Sequence, residues 1–297
     1  MKLSTIIYYS ILKMYHILPC KNVICYLLRK LPLNKEKFYK DYKFNGPFRV
    51  KFNSGQTFKM IHHRTTIENE IYWKGIDNGW EKVSIGIWKE LAKNSNVIVD
   101  IGANTGVYSL IAASANHQAD IYAFEPSKRV FEKLKRNIYI NQFDVQAFDI
   151  ALSNKKGTAI FYDVIFEHQY SASLNESMLE SDEGKVEVEV QTDTLDGFFE
   201  LQKVDKVDLV KVDVEKHECE VLEGMKKIID RDRPTLLIEI SDDVIGEYVD
   251  NMLSPYGYLY FDIDEKTSPR KVENLRKSAH YNYLICLESV ARELKLI

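Results

Sequence analysis

The chain has 297 residues, 45% hydrophobic and 28% charged, enough for one large α/β domain with appendages or for two small domains. A formal net charge of −4 points away from a nucleic-acid partner. Four scattered cysteines (Cys20, Cys25, Cys219, Cys286) suggest neither a disulfide framework nor a zinc site, and a reducing cytoplasm fits them best.

The charge is unevenly spread. Residues 1–40 carry eight basic side chains against one acid, Glu36, so this segment is +7 and the remainder −11. The segment is also rich in Ile, Leu and Tyr, and reads as helix with a break at Pro19 and a stop at Pro32. A basic apolar helix can lie on an anionic membrane surface; the alternative is a helix docked on the rest of the chain or on a dimer partner. No stretch reaches the roughly 20 uninterrupted apolar residues of a spanning helix, because Lys13, His16, Pro19 and Lys21 interrupt the best candidate. No cleavable secretory signal is apparent. The expected location is cytoplasmic, with membrane-peripheral contact through residues 1–40 as a variant, and the oligomeric state is open, a dimer included.

Phe48–Ile61 alternates around Asn53-Ser54-Gly55-Gln56, a hairpin signal. Residues 68–94 have helical spacing and lead into an apolar strand at Val97. Strands and helices then alternate. Helices are expected at 105–115, 128–141, 218–229 and 242–253; strands at 120–124, 145–150, 207–214, 235–240, 258–263 and 280–287. Two alternating runs, 158–164 and 185–191, flank a polar insertion. The pattern predicts an α/β fold with a doubly wound, mostly parallel sheet of about seven strands. It divides into an N-terminal helical segment and hairpin, 1–66, and an α/β domain, 67–297, with the insertion at about 165–185.

The candidate ligand site is the turn after the first parallel strand. Asp100-x-Gly102-x-x-x-Gly106 follows Val97–Val99 and opens a helix at once. A second strand ends in Glu125, where an acid commonly holds ribose hydroxyls; the alternative is that Glu125 caps the following helix, with Pro126 in its first turn. Dinucleotide sites have a third glycine, whose place is taken here by Asn104 and Thr105. A carboxylate at Asp100 is unwelcome beside a pyrophosphate and welcome beside an ammonium and a sulfonium. The charge pattern therefore points to S-adenosylmethionine.

Asp100–Ser109 (DIGANTGVYS), Tyr122–Pro126 (YAFEP), Ala151–Asn154 (ALSN), Thr194–Asp196 (TLD) and Val207–Glu218 (VDLVKVDVEKHE) resemble, in this order, the FkbM-type methyltransferases. The resemblance covers about Gly79 to Cys286, and KVDVE-x-x-E is its most specific part. It implies the class I methyltransferase sheet with an antiparallel last strand, and methyl transfer from S-adenosylmethionine, usually to a hydroxyl of a sugar or natural product. It places Asp100, Gly102, Ala103, Asn104 and Gly106 at the methionine end of the cofactor. Glu125 and Pro126 would lie at the ribose, Asp149 and Ile150 at the adenine, and Asp213 at the sulfonium and acceptor. Lys216 stands where the family often has glycine.

A sugar hydroxyl is a poor nucleophile and benefits from a general base. Asp213, Glu215 and His217 are the candidates, with Lys211 pairing an acid or orienting the acceptor. Acceptor contacts are expected from Glu239, from Glu81 just before the first strand, and from His168, Ser171 and Ser173 in the insertion. Asp213, Glu215 and Glu239 could also offer oxygen ligands to a divalent metal, though no spacing is diagnostic of one. Two other readings share these residues: a nicotinamide-dependent oxidoreductase, and a non-catalytic membrane-peripheral partner of glycan-synthesis enzymes.

Overall fold

A computed structural model describes residues 12, 13, 15, 17, 20–31, 42–164, 174 and 185–297. The chain divides into two units, Met1–Lys82 and Val83–Ile297; the division falls after the 66/67 boundary expected from the sequence. The insertion at about 165–185, with His168, Ser171 and Ser173, lies outside the described residues apart from residue 174.

In the first unit, helix α1 (Lys21–Lys30) buries Cys25. Strands β1 (Asn45–Lys51) and β2 (Thr57–His63) form the antiparallel hairpin, with Phe48 opposite Met60. Alternation places Phe48, Val50, Phe58, Met60 and His62 on its buried face. Helix α2 (Thr66–Lys74) covers that face with Ile71, Tyr72 and Trp73. The Tyr72 ring meets Phe44 and Phe48 edge-on, at 4.8 and 5.4 Å between centroids. The helix expected over 68–94 is two helices. The first ends at its C-cap Gly75, where φ is 88°, and helix α3 (Lys82–Lys93) starts afresh.

The second unit is built on an eight-stranded sheet. Its strands are β3 (Val97–Ile101), β4 (Asp120–Phe124), β5 (Val145–Phe148), β9 (Leu209–Val212), β10 (Thr235–Glu239), β11 (Leu259–Ile263), β12 (Pro269–Val272) and β13 (Asn282–Cys286), in the order β12-β11-β13-β10-β9-β3-β4-β5. β5, β4, β3, β9 and β10 run parallel. The last strand, β13, is inserted antiparallel between β10 and β11. Seven of the strands match the expected pattern; β12 is an additional edge strand paired with β11. A strand covered on both faces has no polar side to display. Accordingly all four residues of β9 are buried, as are Ile98 to Ile101 of β3.

Helices α4 (Val107–Ala115) and α5 (Lys128–Asn141) make the crossovers from β3 to β4 and from β4 to β5. The chain then forms a separate small sheet from β6 (Ala151–Leu152), β7 (Gly157–Val164) and β8 (Lys185–Asp193), in which β7 and β8 pair antiparallel. It next passes through α6 (Leu195–Gln202) and returns to the main sheet on the far side of β3. β3 is therefore the point where strand order reverses, and the crevice beyond the carboxyl ends of β3 and β9 is where such sheets bind ligands.

The helix expected over 218–229 is α7 (Glu218–Gly224) followed by α8 (Lys226–Asp232), broken at Met225. Gly224 lies so near the chain at Ser153 that a Cβ would stand 2.0 Å from the Ser153 oxygen. α9 (Asp243–Leu253) and α10 (Glu288–Glu293) complete the unit. No helix among the described residues is long and apolar enough to cross a membrane.

Candidate functional site

The turn after β3 owes its shape to contacts within the protein. Gly102, Asn104 and Gly106 have φ of 77°, 51° and 90°, the left-handed region that favours glycine and tolerates asparagine. A Cβ on Gly106 would lie 2.5 Å from Cδ1 of Leu134 on α5. All five amides of the turn donate internally. Those of Gly102 and Ala103 go to the Phe124 oxygen at 3.0 and 2.9 Å, and that of Gly106 to the Ala103 oxygen at 2.8 Å. The Asn104 amide donates to Glu125 Oε2 at 3.0 Å, and the Thr105 amide to Asn104 Oδ1 at 2.8 Å. No amide of Gly102–Gly106 is left to cradle a phosphate.

Two buried carboxyls flank the turn. Asp100 Oδ2 accepts from the Ser109 hydroxyl at 2.6 Å, while its Oδ1 is buried without a hydrogen-bond partner. Burial pushes the Asp100 carboxyl up, against the opposing pull of Lys211 and Ser109. Glu125, at the end of β4, accepts from the amides of Ser127 (2.9 Å) and Asn104. Burial pushes Glu125 up to about 7 in spite of those two donors. Ser127, with Pro126 before it, is the N-cap of α5, so Glu125 also braces the entry to that helix. Beyond β5, Asp149 is exposed and Ile150 half-buried. The Glu125 amide donates to the Phe148 oxygen at 3.0 Å, which keeps these segments side by side.

A second group gathers beyond β9 and β10. Lys211 pairs with Asp100 in the register of β9 and β3. Its Nζ contacts Asp213 Oδ2 at 2.6 Å and sits 4.6 Å from the centroid of the Tyr108 ring. A buried lysine requires such partners. The last residue of β10, Glu239, extends the β9–β10 register to the level of Asp213. Burial, then Asp213, Glu215 and Glu218, push its carboxyl far up. Glu215 is pushed up to about 7 by burial and by Asp213.

The loop that carries these acids is strained. Glu215 and Lys216 have φ of 54° and 72°, two consecutive left-handed residues, neither of them glycine. Glu218 steadies the loop. Its Oε1 accepts from the amides of Val214 and Lys216 at 3.2 and 3.3 Å, while its Oε2 is buried without a partner. Burial pushes Glu218 up to about 7.

The structure thus brings Lys211, Asp213, Glu215 and Glu239 together beside the turn. His217 is engaged elsewhere, with Nε2 2.9 Å from the Ser153 hydroxyl and Nδ1 3.4 Å from Glu220. Burial holds its pKa below the usual histidine range. Glu81 belongs to the first unit, with φ of 45°. Among the described residues no group of three or more His, Cys, Asp or Glu could hold a metal ion. Sequence reasoning assigned no role to Ser109, Tyr108, Ser153 or Glu218. All four lie inside quoted motifs, Tyr108 and Ser109 in DIGANTGVYS, Ser153 in ALSN and Glu218 as the final acid of KVDVE-x-x-E, and it is their contacts that the sequence left out.

Residues 100–260 match the family model described as the methyltransferase FkbM domain. The chain is 31% identical over 192 residues to hexuronic acid methyltransferase AglP of Haloferax volcanii, covering 64% of this chain and 75% of that protein. It is 32% identical over 154 residues to methyltransferase sdnD of Sordaria araneosa, covering 43% of this chain and 60% of that protein. Among solved structures it is similar to the crystal structure of methyltransferase FkbM from Methylobacillus flagellatus KT. That similarity has 15% identity and a TM-score of 0.42, over 64% of this chain and 43% of that one.

Proposed function

This chain belongs to the FkbM methyltransferase family, and from that premise we propose that it methylates a hydroxyl of a sugar, in a surface polysaccharide, glycolipid or related natural product. Its methyl donor is S-adenosylmethionine. The sugar acceptor is supported by the likeness to a protein named for methylating a hexuronic acid.

The observation that carries the cofactor reading is the donor and acceptor inventory of the turn. Every amide from Gly102 to Gly106 is already donating, whereas Asp100 Oδ1 is a buried acceptor in need of a donor. A ligand rich in N–H and positive charge fits that inventory, and a diphosphate does not. The nicotinamide alternative is therefore not favoured.

In this reading Asp100 accepts from the ammonium of the donor, with Gly102, Ala103, Asn104 and Gly106 shaping the wall around it. Glu125, followed by Pro126, accepts from the ribose hydroxyls, and Asp149 and Ile150 flank the adenine. S-adenosylmethionine supplies an electrophilic methyl carbon on a sulfonium. Asp213, held in place by Lys211, would orient the acceptor hydroxyl, and Glu239 would accept a hydrogen bond from the acceptor. On transfer of the methyl group to the acceptor oxygen, Glu215 would take the hydroxyl proton. A carboxyl with a pKa of about 7 suits that task at neutral pH. His217, tied to Ser153 and Glu220, positions the loop rather than taking the proton. Four free cysteines are in keeping with a cytoplasmic enzyme.

Calorimetric titration with S-adenosylhomocysteine tests the cofactor half. Wild type should bind, and Glu125→Ala should bind at least about tenfold more weakly, two lost hydroxyl bonds being worth more than that. Mass spectrometry of surface glycans with and without the gene tests the acceptor half. Identical spectra would overturn the glycan assignment while leaving the cofactor site standing.

A further inference from the structure

Helix α1 presents two unlike sides. Cys25 is buried, and the Tyr15 ring close to it lies 4.8 Å from that of Tyr42. The other side carries Val23, Tyr26 and Leu27, spaced three and four residues from Val23 as one helical stripe, and Leu31 follows at the C-cap. Each is at least half exposed, with Leu27 at 57%, and Ile17 nearby is 78% exposed. Single exposed apolar side chains are ordinary, but a row of them marks an interaction surface.

The charge around the stripe says what covers it. Lys13 and Lys30 are exposed, whereas Lys21 and Arg29 stack on the rings of Tyr15 and Tyr72, at 5.7 and 4.8 Å from their centroids; there is no acid from residue 1 to 35. Lys30 Nζ sits 4.4 Å from the centroid of the Tyr26 ring, so cation and aromatic share one end of the stripe. Residues 41–297 carry a net −11. The positive charge that an anionic surface would attract is thus concentrated in this N-terminal segment. Ten helical residues extend about 15 Å, long enough to lie along an interface and too short to span one.

We propose that this face docks on an anionic lipid surface. Val23, Tyr26, Leu27 and Leu31 enter the acyl boundary, and Lys30 meets the headgroups. The inference is independent of the methyl acceptor.

Vesicle co-sedimentation of the full chain tests it. Vesicles of phosphatidylcholine alone would be compared with vesicles containing phosphatidylglycerol, at low and high salt. The variants are Val23→Ser/Leu27→Ser and Lys30→Glu, with far-UV circular dichroism to confirm folding. The expected result is at least about tenfold stronger binding to anionic vesicles, weakened by salt and by both variants. No binding, equal binding to both vesicles, or full binding by the folded Val23→Ser/Leu27→Ser variant would overturn it. So would sedimentation equilibrium showing that the stripe joins two copies of the chain while wild type ignores vesicles.

Discussion

A Cβ on Gly102 would lie 1.8 Å from the backbone oxygen of Asp213. The turn after β3 and the end of β9 thus meet backbone to side-chain-free backbone, and the Asp213 amide ties them further by donating to the Ile101 oxygen at 3.1 Å. The segment proposed to hold the donor and the segment proposed to hold the acceptor are aligned by this contact.

Gly102→Ala should be among the most damaging small substitutions. It combines a left-handed φ, costing about 1–2 kcal/mol with a side chain, and a backbone clash costing about 1–3 kcal/mol. Denaturant unfolding should show a loss of roughly 2–5 kcal/mol. A loss below about 1 kcal/mol would show that the two segments can separate freely.

Lys211→Met should destabilise the protein at neutral pH, because Asp213, Glu215 and Glu239 lose their neighbouring cation. Removing one partner of a buried pair costs about 3–5 kcal/mol. The Asp213 side chain is 31% exposed, so solvent screening brings the expectation to about 2–3 kcal/mol. The double variant Lys211→Met/Asp213→Asn should be milder than the sum of the singles. Strict additivity in a double-mutant cycle would refute the pairing.

The buried carboxyls set a pH dependence with a definite sign. Glu125, Glu215 and Glu218 rise from the ordinary 4.5 to about 7 on burial. In that window the folded state binds more protons than the unfolded state, so stability falls as pH rises from about 4.5 to about 7, above which these three groups contribute no further fall and Glu239 continues it. Denaturant unfolding across this range should show the fall, and Glu125→Gln should reduce its slope. A rise through the same window would contradict the burial of these groups.

Glu215→Gln should lower kcat by roughly 10²–10⁴-fold and leave affinity for S-adenosylhomocysteine unchanged. The wild-type rate should increase with pH through about 7, as Glu215 loses its proton. The variant should lack that limb. An unaltered pH profile would transfer the proton-accepting role to another group.

Lys216→Gly should cost nothing and stabilise the protein slightly. Glycine replacing an ordinary residue loses about 0.5–1 kcal/mol through the unfolded state. Here that is offset by relief of a left-handed lysine, φ 72°, at about 1–2 kcal/mol. Thermal unfolding checks it, and a clear loss of stability would mean that the lysine side chain holds the loop.

The parts of this fold legible in the sequence are those dictated by local chemistry. β3, β4 and β9 are apolar runs because both of their faces are covered, and α5 spans the 128–141 of its apolar spacing. The break at Met225 was not legible, since it accompanies a close approach between Gly224 and Ser153, far apart in the chain. Likewise β12 exists only because β11 offers it an edge. At the site, Asp100 and Glu125 stood out by position in a motif. Ser109 and Ser153 did not, because a serine announces nothing until its partner across space is known. Lys216, where the family often has glycine, adopts a left-handed φ of 72°.

The five engaged amides have one more consequence. A loop whose every donor is committed keeps its shape whether or not a nucleoside is present, so the ordering entropy of the binding wall is spent during folding and none of it is charged to association. Affinity for the donor should then respond steeply to side-chain acceptors such as Asp100 and Glu125, and free and loaded forms of the enzyme should superpose closely over residues 100–110.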